Sequence, residues 1–444
     1  MSCYERVTTD STCNSSLCNS IIVDQNNANN NNNTSNAKTS RFSKTCVSRT
    51  TRVLNRNSMK AEEPIAFQKA KLDRGKWVRS HNTLVHDPSI NKYFEVSNVL
   101  FNNETITASD GSKTKGMFGY WIRETIRKAL FGKVVKAYVL RRRPSSAEHY
   151  NSCKWELFDN VECAVKVLTW SKIQKNMETK ETMEDPLKEI AAMQCMKRCM
   201  STESHVLTPI EILADSKYIF CVMPLCKDGE LYDRLEKTQD CFGEGEARYW
   251  FRQIIEGVNT LHRAQVCHRD ISLENVLIHG GSCHIIDMGM SLRIPQHKKV
   301  MEDSMHLTEE ERRIREKKSM YISPQGRCGK FYYMAPEIYA NKEAFNPYAI
   351  DIWSAGAVLF MMLTGAPPYE RASYSDSCFQ WIASGRLSEL LSAWGRDVST
   401  EAIDLLQGML CVDPSKRLTT EEVLRHPWVV GMQDCPPPPS APLQ

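Results

Sequence analysis

Four short polar motifs in one fixed order constrain the fold of this chain more than any other feature. Apolar residues precede the first two, so their polar groups lie where strands end and loops begin. A single motif of three residues occurs by chance in many proteins, but four in order do not. The motifs are His268-Arg269-Asp270 with Asn275, Asp287-Met288-Gly289, Ala335-Pro336-Glu337 and Asp351.

The loop from Asp270 to Asn275 brings a carboxylate and an amide together. A carboxylate can accept a hydroxyl proton, and an amide oxygen can hold a divalent cation. Asp287, twelve residues after Asn275, supplies a second hard oxygen ligand. Because Mg²⁺ takes few protein oxygens and fills its shell with phosphate and water, the pattern predicts a Mg²⁺ site formed by Asn275 and Asp287.

Length and composition predict one large domain with two tails. A chain of 444 residues can hold a two-lobed domain of about 250 to 300 residues. Residues 1–92 are rich in Asn, Ser and Thr, which predicts a disordered tail, and residues 431–444 form a Pro-rich tail. The domain between them, 93–430, is strand-rich to about residue 223 and helical from about residue 227. We therefore expect an α+β fold with a small and a large lobe.

Charge and hydropathy argue against two classes of partner. The net charge of +4 is spread along the chain, so no nucleic acid is expected. The longest apolar run, 349–363, contains Asp351 and is too short to cross a bilayer, so no membrane span is expected. The seventeen cysteines are scattered and follow no secretory signal, which favours the cytoplasm, with the nucleus as the alternative.

The ordered motifs resemble those of the eukaryotic protein kinase family over about residues 118–430. Residues 405–410 and 422–428 make the large lobe most similar to the calmodulin-dependent group of serine/threonine kinases. The resemblance implies a two-lobed kinase fold, ATP and Mg²⁺ as cofactors, and transfer of the γ-phosphate of ATP to serine or threonine hydroxyls of protein substrates.

The same resemblance implies roles for individual residues. Asp270 would orient and deprotonate the acceptor hydroxyl. Lys166 would hold the α- and β-phosphates and pair with Glu189, although Glu181 and Glu184 compete for that second role. The nucleotide pocket is implied to include a hairpin glycine, apolar side chains around adenine, the backbone of the interlobe connector and an acidic residue: Gly132, Val134, Ala164, Met223, Pro224, Cys226, Glu230 and Leu277.

Further residues are implied to select the substrate and stabilise the large lobe. Glu230 and Glu274 stand where related kinases meet arginines, which predicts a basic target peptide. Asp351 is implied to anchor the catalytic loop through its backbone. Glu337 and Arg417 are implied to form a buried ion pair, whose loss is strongly destabilising.

The chain departs from the family pattern in the glycine-rich loop. Arg127 and Ala129 stand at the first two glycine positions, and only Gly132 remains. At these positions the backbone of the family comes close to the phosphates of ATP. Side chains there predict weaker ATP binding or a differently shaped ATP site. A loosely packed hairpin tip is the alternative.

A second departure concerns the catalytic loop. Ser272 stands where most serine/threonine kinases have a phosphate-binding lysine, and Lys330 stands where they have a threonine. The two changes are reciprocal, so we hypothesise that Lys330 contacts the phosphate and Ser272 replaces the threonine. The alternative is a solvated Lys330 beside an impaired site, as in a pseudokinase that acts as a binding scaffold.

The activation segment, residues 287–337, offers candidate sites of regulation. Arg269 precedes the catalytic aspartate and is expected to be an unpaired cation until a phosphate arrives, which predicts control by phosphorylation. Ser319, Tyr321 and Ser323 are the candidate acceptors, for an upstream kinase or for autophosphorylation.

Overall fold

The first half of the chain forms strands and the second half forms mainly helices, in agreement with the predicted α+β class. The computed structural model describes residues 61–79, 81–102, 105–107, 113–115, 118–143, 153–199, 204–295 and 321–431. The change from strands to helices falls between Pro224, where the last strand of the small lobe ends, and Leu231, where the first helix of the large lobe begins.

The strands belong to one large sheet and three two-stranded pairs. They are β1 Asp73–Val78, β2 Thr83–Asp87, β3 Lys92–Val96, β4 Val99–Asn102, β5 Thr105–Thr107, β6 Lys113–Lys115, β7 Phe118–Ala129, β8 Gly132–Arg142, β9 Trp155–Thr169, β10 Glu211–Ala214, β11 Tyr218–Pro224, β12 Val266–Cys267, β13 Val276–His279, β14 Ser282–Ile285 and β15 Leu292–Arg293.

Seven strands of the small lobe close into a ring, in the order β9-β11-β10-β1-β4-β7-β8 and back to β9. Strand β1 completes the ring, because it pairs antiparallel with β4 and parallel with β10. A closed ring leaves no unpaired strand edge. Apolar side chains fill its interior, among them Leu100, Tyr120, Ile122, Val135, Phe220 and Val222.

The prediction of a disordered tail over residues 1–92 is wrong for residues 61–92. Strand β1 is part of the ring, and β2 forms a hairpin with β3 that extends from the start of β9. The error arose because these strands pair with distant segments, which local composition does not reveal. Residues 1–60 and 432–444, for which tails were predicted, lie outside the described residues.

The segment before β1, residues 61–72, runs between the lobes and is called the strap below. It is extended, with isolated strand pairings at Glu62 and Ile65. Three of its apolar side chains, Phe67, Ala70 and Leu72, pack against the main hydrophobic core. The strap therefore links the small lobe to the core of the molecule.

Helices flank the strands and build the large lobe. They are α1 Trp170–Thr179, α2 Pro186–Cys199, α3 Leu231–Glu236, α4 Glu244–Arg263, α5 Pro336–Ala340, α6 Pro347–Thr364, α7 Ser377–Ala383, α8 Leu387–Ala393, α9 Thr400–Met409, α10 Thr420–Arg425 and α11 Pro427–Val430. Among the described helices, α6 is long and apolar enough to cross a membrane, but 94% of it is buried inside the fold. It is the central core helix of the large lobe, and its apolar composition reflects that burial.

Candidate active site

The catalytic loop follows strand β12 and is anchored to the core helix α6. The carboxylate of Asp351 accepts hydrogen bonds from the backbone amides of His268 at 2.9 Å and Arg269 at 2.8 Å. Burial alone would raise the pKa of Asp351, but its hydrogen bond with His262 helps to hold that pKa below its usual value. The anchoring contact implied by the sequence is therefore present. It fixes Arg269 at a φ of 68°, a backbone angle that non-glycine residues seldom adopt.

Asp270 and Asn275 face each other across this loop. The side-chain amide of Asn275 donates to the carboxylate Oδ2 of Asp270 and to its backbone carbonyl, both at 2.9 Å. The second carboxylate oxygen of Asp270, Oδ1, is buried and has no hydrogen-bond partner among the described residues. Burial raises the pKa of Asp270 above its ordinary value. A buried carboxylate with an unused oxygen and a raised pKa is suited to accept a proton.

Asp287 has the opposite electrostatic character. Burial would raise its pKa, but the charge of Lys166 and a 3.1 Å hydrogen bond from the Gly289 amide lower it below the usual value. This carboxylate therefore stays ionised, as a cation ligand requires. Two carboxylates in one cleft whose pKa values are shifted apart can serve as proton acceptor and cation ligand.

The donor set fits Mg²⁺. The Asp287 carboxylate and the side-chain oxygen of Asn275 are hard ligands on neighbouring loops, and the Asn275 nitrogen is already used by Asp270. No cluster of three or more His, Cys, Asp or Glu side chains that could hold a metal occurs in the part of the chain that the structure describes. A site with few protein oxygens suits Mg²⁺, which completes its shell with phosphate and water.

Lys166 and Glu189 form a buried pair behind the catalytic loop. The amine of Lys166, on β9, lies 2.6 and 2.7 Å from the two carboxylate oxygens of Glu189, on α2. Burial would lower the pKa of Lys166, but Glu189 and Asp287 raise it above the ordinary value, so the amine is charged. Glu181 and Glu184 precede α2 and do not form this pair. The structure therefore selects Glu189 among the three candidates.

The residues predicted to surround adenine lie on strands that border one cleft. Val134 is paired with Lys166 between β8 and β9, and Met223 is paired with Ala164 between β11 and β9. From the large lobe, Leu277 forms an isolated strand pairing with Glu230. Pro224 ends β11, and Cys226 follows in the connector between the lobes. These strands and the connector border the cleft between the lobes, and the roles of the residues in nucleotide binding stay predictions.

The tip of the β7–β8 hairpin is packed at Phe131 and Gly132, so the alternative of a loose tip is wrong for these two residues, whereas Leu130 beside them is 44% exposed. Phe131 is only 6% exposed, and its carbonyl accepts a 2.9 Å hydrogen bond from the Thr169 amide. Gly132 lies directly against β9, where an added Cβ would be 1.8 Å from the carbonyl oxygen of Val167. This contact explains why the third glycine is the one retained.

Arg127 makes an interlobe contact that sequence reasoning missed. It is paired with Val134 in the β7–β8 ladder, so both side chains point to the cleft face of the hairpin. Its guanidinium forms an ion pair with Glu230 at the start of the large lobe. Arg127, which stands where the family has glycine, thus pairs with Glu230. Glu230 is one of the two carboxylates from which a basic target peptide was predicted. The sequence could have indicated this contact only through the pairing register of β7 with β8, which it does not reveal.

Lys330 and Ser272 are in direct contact, as their reciprocal exchange led us to expect. The Lys330 amine donates to the Ser272 hydroxyl at 2.7 Å and lies 3.6 Å from a carboxylate oxygen of Glu274. The Lys330 side chain is 20% exposed, so the alternative of a solvated loop lysine is wrong. Gly329, at a φ of 82°, brings this segment against the loop, since an added Cβ would be 3.2 Å from Oδ1 of Asp270.

The guanidinium of Arg269 has neutral hydrogen-bond partners among the described residues, and its buried Nε has none. This buried guanidinium donates to the backbone carbonyls of Gly326 at 3.0 Å and Gln325 at 3.4 Å. Neutral carbonyls do not offset the charge of the guanidinium, so control by phosphorylation stays a prediction. Of the candidate acceptors, Tyr321 and Ser323 are half-buried, and Ser319 lies outside the described residues.

The predicted ion pair of the large lobe is present. The guanidinium of Arg417 donates to the two carboxylate oxygens of Glu337 at 2.7 and 3.0 Å. Arg417 is almost fully buried and also donates to the carbonyls of Ala349 and Cys411. This pair ties the end of the activation segment to the base of the large lobe.

A two-lobed fold with this cleft and these polar groups defines the protein kinases. The family described as "Protein kinase domain" matches residues 155–429, and the chain belongs to it. The match begins at β9, so it leaves out the hairpin that carries Arg127 and Ala129.

Curated relatives at about 30% identity are serine/threonine kinases. The probable serine/threonine-protein kinase fhkD of Dictyostelium discoideum is 30% identical over 281 residues, which cover 60% of this chain and 33% of the relative. A calcium and calcium/calmodulin-dependent serine/threonine-protein kinase of Lilium longiflorum is 29% identical over 248 residues, covering 55% and 42%. The SNF-related serine/threonine-protein kinase of Homo sapiens is 28% identical over 243 residues, covering 54% and 28%. The chain spans less than half the length of these relatives.

Proposed function

We propose that this chain is a serine/threonine protein kinase that transfers the γ-phosphate of ATP to protein substrates with Mg²⁺ as cofactor. One observation carries the proposal. The buried Lys166–Glu189 pair, ionised Asp287 and the partnerless oxygen of Asp270 lie around one cleft between the lobes. A scaffold that only binds partners does not require this costly set of buried charges.

In the proposed reaction the substrate hydroxyl oxygen attacks the γ-phosphorus, and the bond to the β-phosphate oxygen breaks. The hydroxyl proton passes to Oδ1 of Asp270, which Asn275 orients through the other carboxylate oxygen. Lys166, whose amine is oriented by the ion pair with Glu189, positions the α- and β-phosphates. When bound by Asn275 and Asp287, Mg²⁺ supplies positive charge that offsets the charge of the phosphates.

Lys330 supplies the cation that the catalytic loop lacks. Because Ser272 holds its amine beside the loop and Gly329 brings it close to Asp270, the ammonium can stabilise the transferring phosphate from the substrate side. The packed hairpin with Ala129 in place of glycine supports the prediction of weak ATP binding. A preference for basic targets stays a prediction, since Glu230 and Glu274 already contact Arg127 and Tyr333. The cytoplasmic or nuclear location likewise stays a prediction.

Transfer of radiolabelled phosphate from ATP to a mixture of protein substrates tests the proposal. The wild-type protein should label substrate, whereas Asp287→Asn should abolish labelling because the cation loses its charged ligand. Asp397→Asn changes an exposed aspartate away from the cleft and is the matched control. Equal labelling by wild type and Asp287→Asn, or none by either, would contradict the proposal and favour a binding scaffold.

A further inference from the structure

The strap pairs with both ends of the activation segment through its backbone. The amide of Ile65 donates to the carbonyl of Arg293, 3.0 Å away, shortly after the Asp287 motif. The amide of Glu62 donates to the Tyr321 carbonyl, and its own carbonyl accepts from the Ser323 amide, both at 3.0 Å. Four residues of strap thus join two stretches of the activation segment that are 28 residues apart in the chain.

The activation segment is also held on the side opposite the strap. Ile322 exchanges two backbone hydrogen bonds of 3.0 Å with Phe345 of the large lobe, and its side chain is buried. Residue 322 is therefore the middle member of three extended segments, with the strap on one side and residue 345 on the other. Without the strap, the segment around residue 322 would pair with residue 345 alone.

A second part of the strap contacts the helix that carries Glu189. The side-chain amide of Gln194, on α2, accepts a 2.9 Å hydrogen bond from the Lys71 amide and donates at 2.7 Å to the Lys71 carbonyl. Gln194 lies five residues after Glu189 on the same helix. Two residues after Lys71 the chain enters β1, which closes the strand ring of the small lobe. The strap therefore fixes α2 relative to both the small lobe and the activation segment.

Arg269 holds the part of the activation segment that follows the stretch paired with the strap. An arginine next to the catalytic aspartate can position an activation segment by binding a phosphate on it. In this chain the carbonyls of Gln325 and Gly326 occupy two donors of Arg269, two residues or more after the stretch held by the strap. The described part of the segment is thus positioned by backbone hydrogen bonds, both to the strap and to Arg269.

We propose that the strap, residues 61–72, is a built-in activating element of this kinase. It holds the activation segment and the Glu189 helix in the arrangement needed for phosphoryl transfer, so that transfer does not depend on phosphorylation of the activation segment. Its residues are positioning residues, since they act through Glu189 and the activation segment. The inference rests on the proposed kinase activity.

A comparison of the variants Ile65→Pro and Ile65→Ala separates the effect of the backbone hydrogen bond from the effect of the side chain. Ile65 is 40% exposed, and both substitutions shorten its side chain, but only proline removes the amide that donates to Arg293. We expect Ile65→Pro to lower kcat about tenfold relative to Ile65→Ala. Amide hydrogen exchange should also become faster around Ile322, while the melting temperatures of the two variants stay close. Equal kcat in the two variants would overturn the proposal.

The contact with α2 is tested by Gln194→Ala, with Arg198→Ala as the control on an exposed position of the same helix. Because Gln194 holds the helix that carries Glu189, its loss should raise the KM for ATP several-fold and leave the melting temperature nearly unchanged. A purely structural contact would instead lower the melting temperature without a change in KM. That second result would contradict a positioning role.

Dephosphorylated protein tests independence from phosphate and separates the two proposals. We expect the wild-type protein, produced together with a phosphatase, to keep its kcat within about twofold, as should the double variant Tyr321→Phe, Ser323→Ala. A more than tenfold loss that rephosphorylation restores would overturn the role of the strap and leave the kinase activity established. No transfer in either phosphorylation state would instead refute the proposed function and, with it, this inference.

Discussion

The contact between Lys330 and Ser272 allows the proposed catalytic site to be tested by exchanging the two side chains. Lys330→Met keeps the length of the side chain and removes the ammonium that lies 2.7 Å from the Ser272 hydroxyl. The hydrogen bond itself contributes only about 1 kcal/mol to stability, because water competes for both groups. A cation aimed at a transferring phosphate is worth more, and its loss typically lowers kcat by about 10² to 10³.

We therefore expect Lys330→Met to lose about a hundredfold in kcat while ATP binding and the melting temperature change little. Steady-state phosphorylation assays give kcat, and a nucleotide titration gives the affinity for ATP. Lys342→Met changes an exposed lysine and should behave as the wild type. Full activity of Lys330→Met would refute the argument that this ammonium contacts the phosphate.

The double exchange makes the test sharper. Ser272→Lys alone places a second ammonium against Lys330, and Lys330→Thr alone leaves the site without a cation, so each should be nearly inactive. Ser272→Lys with Lys330→Thr restores the order found in most serine/threonine kinases and should recover activity to within about tenfold of wild type. A double variant no more active than Ser272→Lys would show that the two positions do not share one function.

Three further substitutions have expected outcomes. Arg127→Gly removes the ion pair with Glu230, so a peptide array should show a stronger preference for arginine upstream of the phosphoacceptor than with wild type. Gly132→Ala places a Cβ against a carbonyl of β9 and should destabilise the small lobe by about 1 to 3 kcal/mol, measured by urea unfolding. Glu337→Ala leaves Arg417 buried without its carboxylate and should cost about 3 to 5 kcal/mol in the same measurement. A loss below about 1 kcal/mol for Glu337→Ala would contradict the assigned burial.

The catalytic centre could be predicted from sequence because its parts lie in short motifs. Asp270 and Asn275 are on one loop, and the apolar strand before Asp287 brings that residue to the same place. Glu189 was predicted as the partner of Lys166, but its two competitors could be excluded only from the structure, because that depends on where α2 begins. Helix starts are among the features that sequence patterns locate least well.

The strap and the strand ring could not be predicted from sequence. The strap contacts, and the pairing of β1 with β10 that closes the ring, are mostly backbone hydrogen bonds between segments more than a hundred residues apart, such as Glu62 with Tyr321. Backbone groups are the same in every residue, so composition carries no trace of such pairing. The Asn-rich stretch that precedes residue 61 also biased the prediction of disorder towards the whole beginning of the chain.

The closed ring of strands determines which fragment of this chain can be handled alone. A fragment cut at the limits of the family match, 155–429, would keep β9, β10 and β11 but lose β1, β4, β7 and β8. The remaining strands would expose two unpaired edges and the apolar interior of the ring, and such edges promote aggregation. Lys166, on β9, would then lack the neighbouring hairpin β7–β8, which is predicted to cover the nucleotide. A fragment that keeps the ring closed therefore has to begin at or before Asp73, where β1 begins.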